Sequence, residues 1–81
     1  MLAAEKGQAT AQNNLGALYQ VGSGVPKDPV LSLMWLMLAS ENGWVPATQA
    51  LSQQMVTMPP AQVELAKRFV GLWKEKIELL K

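Results

Sequence analysis

The chain has 81 residues, a formal net charge of +1, and neither cysteine nor histidine. This length predicts one small domain, and the absence of imidazole and thiol side chains removes the usual general base, nucleophile and zinc ligands. A net charge near zero also lacks the basic signature of nucleic-acid binding. We therefore predict no catalytic activity, no metal, no cofactor and no nucleic-acid partner.

No segment of the sequence predicts a membrane location. Glu5 and Lys6 interrupt the start before an apolar signal region develops. The longest uncharged apolar run, residues 29–40, has 12 residues, whereas a helix needs roughly 20 to span a bilayer. We predict no signal peptide and no membrane span. The sequence indicates no compartment, so the cytoplasm is only the default.

The first complete helix is predicted over about residues 8–21. Its apolar face contains four residues at helical spacing, Ala11, Leu15, Leu18 and Tyr19. Gly16 in mid-helix costs ~1 kcal/mol relative to alanine, which indicates close approach by a neighbouring helix. A turn follows, in which Gly22 and Gly24 supply positive φ angles. Asp28 is predicted to cap the next helix.

The second helix is predicted over about residues 29–42. It is apolar on almost every side, and Trp35 lies near its centre. A helix of this kind is normally buried. A methionine-rich binding groove is the alternative.

Two further helices are predicted, over about residues 45–56 and 60–80. Trp44, in the turn before the first of them, is either a lid over the core or an anchor for a partner. The last helix carries two neighbouring apolar rows: Val63, Ala66, Val70, Trp73, Ile77 and Leu80 in one, and Leu65, Phe69, Leu72 and Leu79 in the other. Together the two rows form an apolar face wider than one neighbouring helix can cover. The apolar residues left uncovered belong either to an irregular C-terminal tail or to an interface.

The sequence repeats at an offset of 36 residues. Residues 1–7 fall on residues 37–43 with five identities in seven, and Ala11 and Leu15 fall on Ala47 and Leu51. A period of this length predicts stacked helix pairs, in which neighbouring pairs bury each other's apolar faces.

A long motif begins at Gly7 and ends at Asp28, and it reads Gly-x-x-x-Ala-Gln-x-x-Leu-Gly-x-x-Tyr-x-x-Gly-x-Gly-Val-x-Lys-Asp. Over about residues 1–52 the chain resembles the Sel1-like family of α-solenoids. The tail from residue 58 resembles the cap of such arrays, with Pro59 in place of the usual threonine. The residues that carry the resemblance are Gly7, Ala11, Leu15, Gly16, Tyr19, Gly22, Gly24, Asp28, Trp35, Ala39, Gly43, Ala47 and Trp73.

The resemblance implies an all-α, short right-handed solenoid of about four stacked helices, without catalysis. It divides the chain into the end of a preceding helix (1–7), one complete repeat (8–43), the first helix of the next repeat (44–57) and a capping helix (58–81). It also implies a protein or peptide partner on the concave surface. The first helix of each pair lines that surface, so the candidate contact residues are Asn13, Asn14, Ala17 and Gln20.

The missing first half-repeat predicts an open apolar edge. We expect a homodimer that covers this edge through Leu15, Leu18, Ile77, Leu79 and Leu80. Two alternatives stay open. The chain is the end of a longer array whose function belongs to other repeats, or it binds a small apolar ligand in a pocket between Trp35, Trp44 and Trp73.

Overall fold

A computed structural model describes the backbone of residues 8–80 and the side chains of residues 8–76. It contains four helices: α1 (Ala9–Val21), α2 (Pro29–Glu41), α3 (Val45–Thr57) and α4 (Pro60–Leu80). No strand occurs within the described residues, so the prediction of an all-α fold is confirmed. The predicted end of a preceding helix, with Gly7, lies outside the described residues. The side chains of Ile77, Leu79 and Leu80 do so too.

The turn between α1 and α2 follows from its local sequence. Gly22 has φ 75° and donates its N–H to the carbonyl oxygen of Leu18 at 2.8 Å, which ends α1. Gly24 is also left-handed, with φ 77°. Asp28 Oδ1 accepts from the N–H groups of Val30 and Leu31 at 3.0 and 3.1 Å. The predicted cap of α2 is therefore confirmed, because the carboxylate satisfies two of the free N–H groups of the first turn.

Helix α2 is the centre of the fold and packs against each of the other three helices. Seven of its residues are buried: Ser32, Leu33, Met34, Trp35, Leu36, Leu38 and Ala39. The prediction that this helix is buried is confirmed, and Met34 and Trp35 are only 6% and 7% exposed.

Helix α4 crosses α2 and also contacts residues of α1 and α3. Near its start, Val63 and Ala66 pack with Leu33 of α2, against which Leu51 and Met55 of α3 also lie. Further along, α4 places Val70 in the same cluster as Leu15 of α1, with Trp73 packed beside them.

This crossing corrects the expectation of an open edge at Leu15. Its side chain is only 7% exposed, because residues of α2 and α4 surround it. Leu18 and Tyr19 are half-buried against the same cluster. Leu15 is therefore a core residue, and it is not available to a second copy of the folded chain.

The close approach predicted at Gly16 is present between α1 and α2. A Cβ atom at this position would lie 3.0 Å from Leu36 Cγ and 3.1 Å from the carbonyl oxygen of Ser32. Because the two helices are this close, Ser32 Oγ can donate to the carbonyl oxygen of Gly16 at 2.7 Å. Glycine is thus required by packing, which compensates for its low helix propensity.

Candidate functional site

Helices α1 and α3 both pack on α2, and the Ser32 hydroxyl of α2 contacts a residue of each. Ser32 Oγ donates to Gly16 of α1 and accepts from Gln54 Nε2 of α3 at 3.3 Å. Leu36 makes a second link, because it contacts Gly16 and also shares a cluster with Ala47. Ser32 and Leu36 therefore bring part of α1 and part of α3 to the same region of α2.

The surface of α1 in this region is set by helical spacing around Gly16. Gln20 lies one turn beyond Gly16, and Asn13 and Ala17 form the adjacent row at i and i+4. Ala17 and Gln20 are exposed and Asn13 is half-exposed. Asn14 is exposed too, but it lies outside these rows. Asn13, Ala17 and Gln20 thus lie near Gly16 on the surface of α1, and the peptide-facing patch stays a prediction.

The surface of α3 in this region is set by the residues around Gln54. Leu51 and Met55 pack toward α4, so helical spacing puts Gln53 on the side of α3 that faces away from α4. Gln49 lies one turn before Gln53 in the same row, and both side chains are exposed. We call Asn13, Ala17, Gln20, Gln49 and Gln53 the amide face.

The amide face carries no charge, because α1 and α3 contain no Asp, Glu, Lys or Arg. Its exposed amides make no hydrogen bond to other described residues, and each presents a carbonyl acceptor and an NH₂ donor. Buried amides behave differently: Gln12, which is 1% exposed, accepts at Oε1 from Asn42 Nδ2 at 2.9 Å. The amide face can therefore pair with the N–H and C=O groups of another chain.

A second surface lies on the other side of the fold, where α4 crosses α1 and α2. An open cleft of about 380 Å³ is lined mainly by apolar side chains, and among the described residues Lys76, which is exposed, is its one charged group. We call this the α4 cleft. Its principal lining residues are Tyr19, Met34, Trp35, Phe69, Leu72 and Trp73.

The tryptophans do not form the three-residue pocket that the sequence suggested. Trp35 and Trp73 meet edge to face in the wall of the α4 cleft, with ring centroids 5.1 Å apart. Trp44 packs instead with Leu36 and Ala47 in a different cluster. The expectation of a pocket shared by all three is wrong, because they lie on different sides of α2. Trp44 is half-buried, as a lid over its cluster would be.

Charged side chains are concentrated on α4, and some of them are paired. Lys74 Nζ lies 2.6 Å from Glu41 Oε1 of α2, and Lys67 Nζ lies 3.4 Å from Glu64 Oε1 on α4 itself. These pairs are exposed and contribute little to stability. The described residues contain no group of three side chains that could hold a metal ion. Within that part of the chain, no helix is long and apolar enough to cross a membrane.

Several residues of these two surfaces were not predicted from the sequence. Gln49 and Gln53 belong to the uncharged stretch of α3, and their equivalence to Asn13 and Ala17 of α1 at an offset of 36 residues was the available signal. Lys76 was not predicted as part of a site, because its neighbours in the cleft come from distant parts of the chain.

Comparison with known proteins covers the first two helices. The family model of the Sel1 repeat matches residues 9–44, which contain α1, the glycine turn, α2 and Trp44. No curated protein matches the chain significantly. Sel1 repeats generally mediate protein–protein interactions. Residues 9–44 are therefore similar to the Sel1 repeat family, and this match agrees with the resemblance seen in the sequence.

Proposed function

We propose that this protein is a non-catalytic interaction module that binds an extended peptide segment of a partner along the amide face. The observation that carries the proposal is a set of exposed, unpaired amides on two uncharged helices that Ser32 links. Asn and Gln side chains can donate and accept at once, so they can pair with a peptide backbone. Such pairing tolerates different partner sequences.

Charge distribution supports the use of this face for backbone recognition. The described charged residues lie on α4, at the start of α2 and at its end, whereas α1 and α3 have none. An extended peptide on the amide face would form neutral hydrogen bonds rather than ion pairs. Its affinity should therefore change by less than about twofold between about 0.1 M and about 1 M salt, a range over which exposed charges become screened.

The test is selection of random dodecapeptides on phage against the full chain, followed by titration of a selected peptide into ¹⁵N-labelled protein. We expect shifts of the side-chain amide resonances of Asn13, Gln20 and Gln53. We also expect at least about tenfold weaker binding by Gln20→Ala/Gln53→Ala, equivalent to the loss of two hydrogen bonds.

A matched control is Gln8→Ala/Thr10→Ala, which removes two exposed polar side chains of the same region outside the amide face. This variant should bind the selected peptide as the unaltered chain does. Failure to select any peptide would contradict the proposed function. Selected peptides that shift only residues of α4 would refute the amide face as the site while keeping an interaction function.

Self-association is the second candidate, and one observation favours it. Leu65 and Leu72 on α4 are exposed large apolar side chains, and Leu72 is 59% exposed. We propose that any homodimer forms through this side of α4 and the adjoining residues 77–80, rather than through Leu15. Light scattering across a dilution series tests it: a constant monomer mass up to ~100 μM, far above micromolar dissociation constants, excludes this candidate.

A further inference from the structure

The polar groups of the α4 cleft can all act as hydrogen-bond donors. Nε1 of Trp73 is buried and has no acceptor among the described residues. The Tyr19 hydroxyl and the Lys76 ammonium likewise make no hydrogen bond within that part of the chain, and Lys76 Nζ lies 6.0 Å from the centroid of the Trp73 ring. A buried donor without an acceptor costs free energy. The cleft therefore offers the Tyr19 hydroxyl and the Lys76 ammonium to an acceptor that the described residues do not supply.

Helical spacing places positive charge on both sides of the most exposed apolar residue of the cleft. Arg68, Leu72 and Lys76 follow one another at i, i+4 and i+8 on α4, so they form a single row. Neither Arg68 nor Lys76 forms an ion pair with a described residue. Two acidic side chains lie near this row: Glu64, one turn before Arg68 and paired with Lys67 at 3.4 Å, and Glu75, which lines a shallow depression with Arg68 and Leu72.

The shape of the cleft favours a peptide side chain over an enclosed small molecule. Its volume of about 380 Å³ is near the lower end of the roughly 300–1,000 Å³ of ligand sites, and it is open to solvent. The edge-to-face pair of Trp35 and Trp73 presents a rigid aromatic wall to whatever enters.

We propose that the α4 cleft binds a peptide segment of another protein in which a large apolar side chain is flanked by carboxylates. The apolar side chain lies against Trp73 and Leu72, while the carboxylates pair with Lys76 and Arg68. This inference rests on the proposed interaction function but uses a different face and a different chemistry. The amide face recognises a backbone without charge, whereas the α4 cleft recognises side chains through charge.

The test uses the full ¹⁵N-labelled chain and two matched probes, acetyl-Glu-Phe-Glu-amide and acetyl-Gln-Phe-Gln-amide. The indole N–H resonance of Trp73 reports on the cleft, and that of Trp44, in a different cluster, is the internal control. We expect the Glu peptide to shift the Trp73 resonance and to bind about fivefold more tightly than the Gln peptide at low salt, as exposed ion pairs allow.

Variants separate the contributions of charge and apolar contact. Lys76→Gln should reduce the preference for the Glu peptide to less than about twofold, and Lys67→Gln, outside the cleft on the same helix, should leave it unchanged. Leu72→Ala should weaken both peptides by about fivefold or more. Leu65→Ala, also exposed but outside the cleft, should not.

Three results would overturn the proposal: equal affinity for the two peptides, an unchanged Trp73 resonance at saturating peptide, or a Trp73 shift caused by raising the protein concentration alone. The last would make a second copy the occupant of the cleft. None of these results affects the amide face, because its test reads Asn13, Gln20 and Gln53 instead. A failure of one proposal can thus be told from a failure of the other.

Discussion

Helices α2 and α3 each contain 13 residues, but α2 buries seven of them and α3 buries one, Ala47. The Asp28 carboxylate caps α2, whereas no side-chain hydrogen bond caps α3 at Trp44. Helix α2 has neighbours on three sides, and the principal neighbour of α3 is α2.

The difference shows that α2 and α3 have different parts in the fold. Most side chains of helix α2 are buried against the other helices, so few of them are exposed to a partner. Apart from Gln54, helix α3 keeps its polar side chains exposed, and the hydroxyls of Ser52 and Thr57 donate to carbonyls of their own helix. The surface proposed for binding a partner therefore uses the helices with less burial, while the most buried helix holds them in place.

The largest effect expected from this comparison is a contrast between two truncations. Leu33→Ala removes a fully buried side chain of α2 and should lower the free energy of unfolding by about 2–5 kcal/mol. Val56→Ala on α3 removes a side chain that is 86% exposed and should change it by at most about 0.5 kcal/mol. Urea unfolding of both variants measures the contrast. Similar losses in the two would show that α3 is as tightly packed as α2.

The same substitution at two glycines should act in opposite directions. Gly16→Ala places a methyl group against Leu36 and the Ser32 carbonyl and should destabilise the fold by about 1 kcal/mol, because overpacking exceeds the gain in helix propensity. At Gly71 of α4 a Cβ atom would meet nothing within 4 Å, so Gly71→Ala should stabilise by about 0.5–1 kcal/mol. Thermal unfolding compares them. Stabilisation by both would mean that α1 and α2 are not in close contact at Gly16.

A smaller effect tests the polar link between α1, α2 and α3. Ser32→Ala removes the hydroxyl that contacts Gly16 and Gln54, and we expect a loss of about 1–2 kcal/mol. Ser52→Ala is the control, because Ser52 is exposed and donates within α3 alone. It should change the free energy of unfolding by less than about 0.5 kcal/mol. Equal effects of the two substitutions would show that Ser32 does not hold the three helices together.

The local parts of this fold were predictable from sequence. Periodic apolar residues, the glycine turn and the Asp28–Pro29 start placed the four helices to within one residue at each end. These signals are short-range, since capping and left-handed glycines act within one turn.

The course of α4 was not predictable, because its apolar rows could pack on several partners. Its contact with the Leu15 cluster depends on the angle at which it crosses α2, and no local signal encodes that angle. The separation of Trp44 from Trp35 and Trp73 has the same origin. The candidate surfaces could therefore be predicted in part: the α1 half of the amide face was, and the α4 cleft was not.

Native-state hydrogen exchange tests the central claim, that α2 is the framework and α3 a more weakly held surface. The account predicts that the amides of residues 33–38 exchange with the free energy of global unfolding. The amides of α3 should exchange at least about tenfold faster, through local opening about 1.4 kcal/mol or more below the global value. Protection of α3 equal to that of α2 would contradict the account.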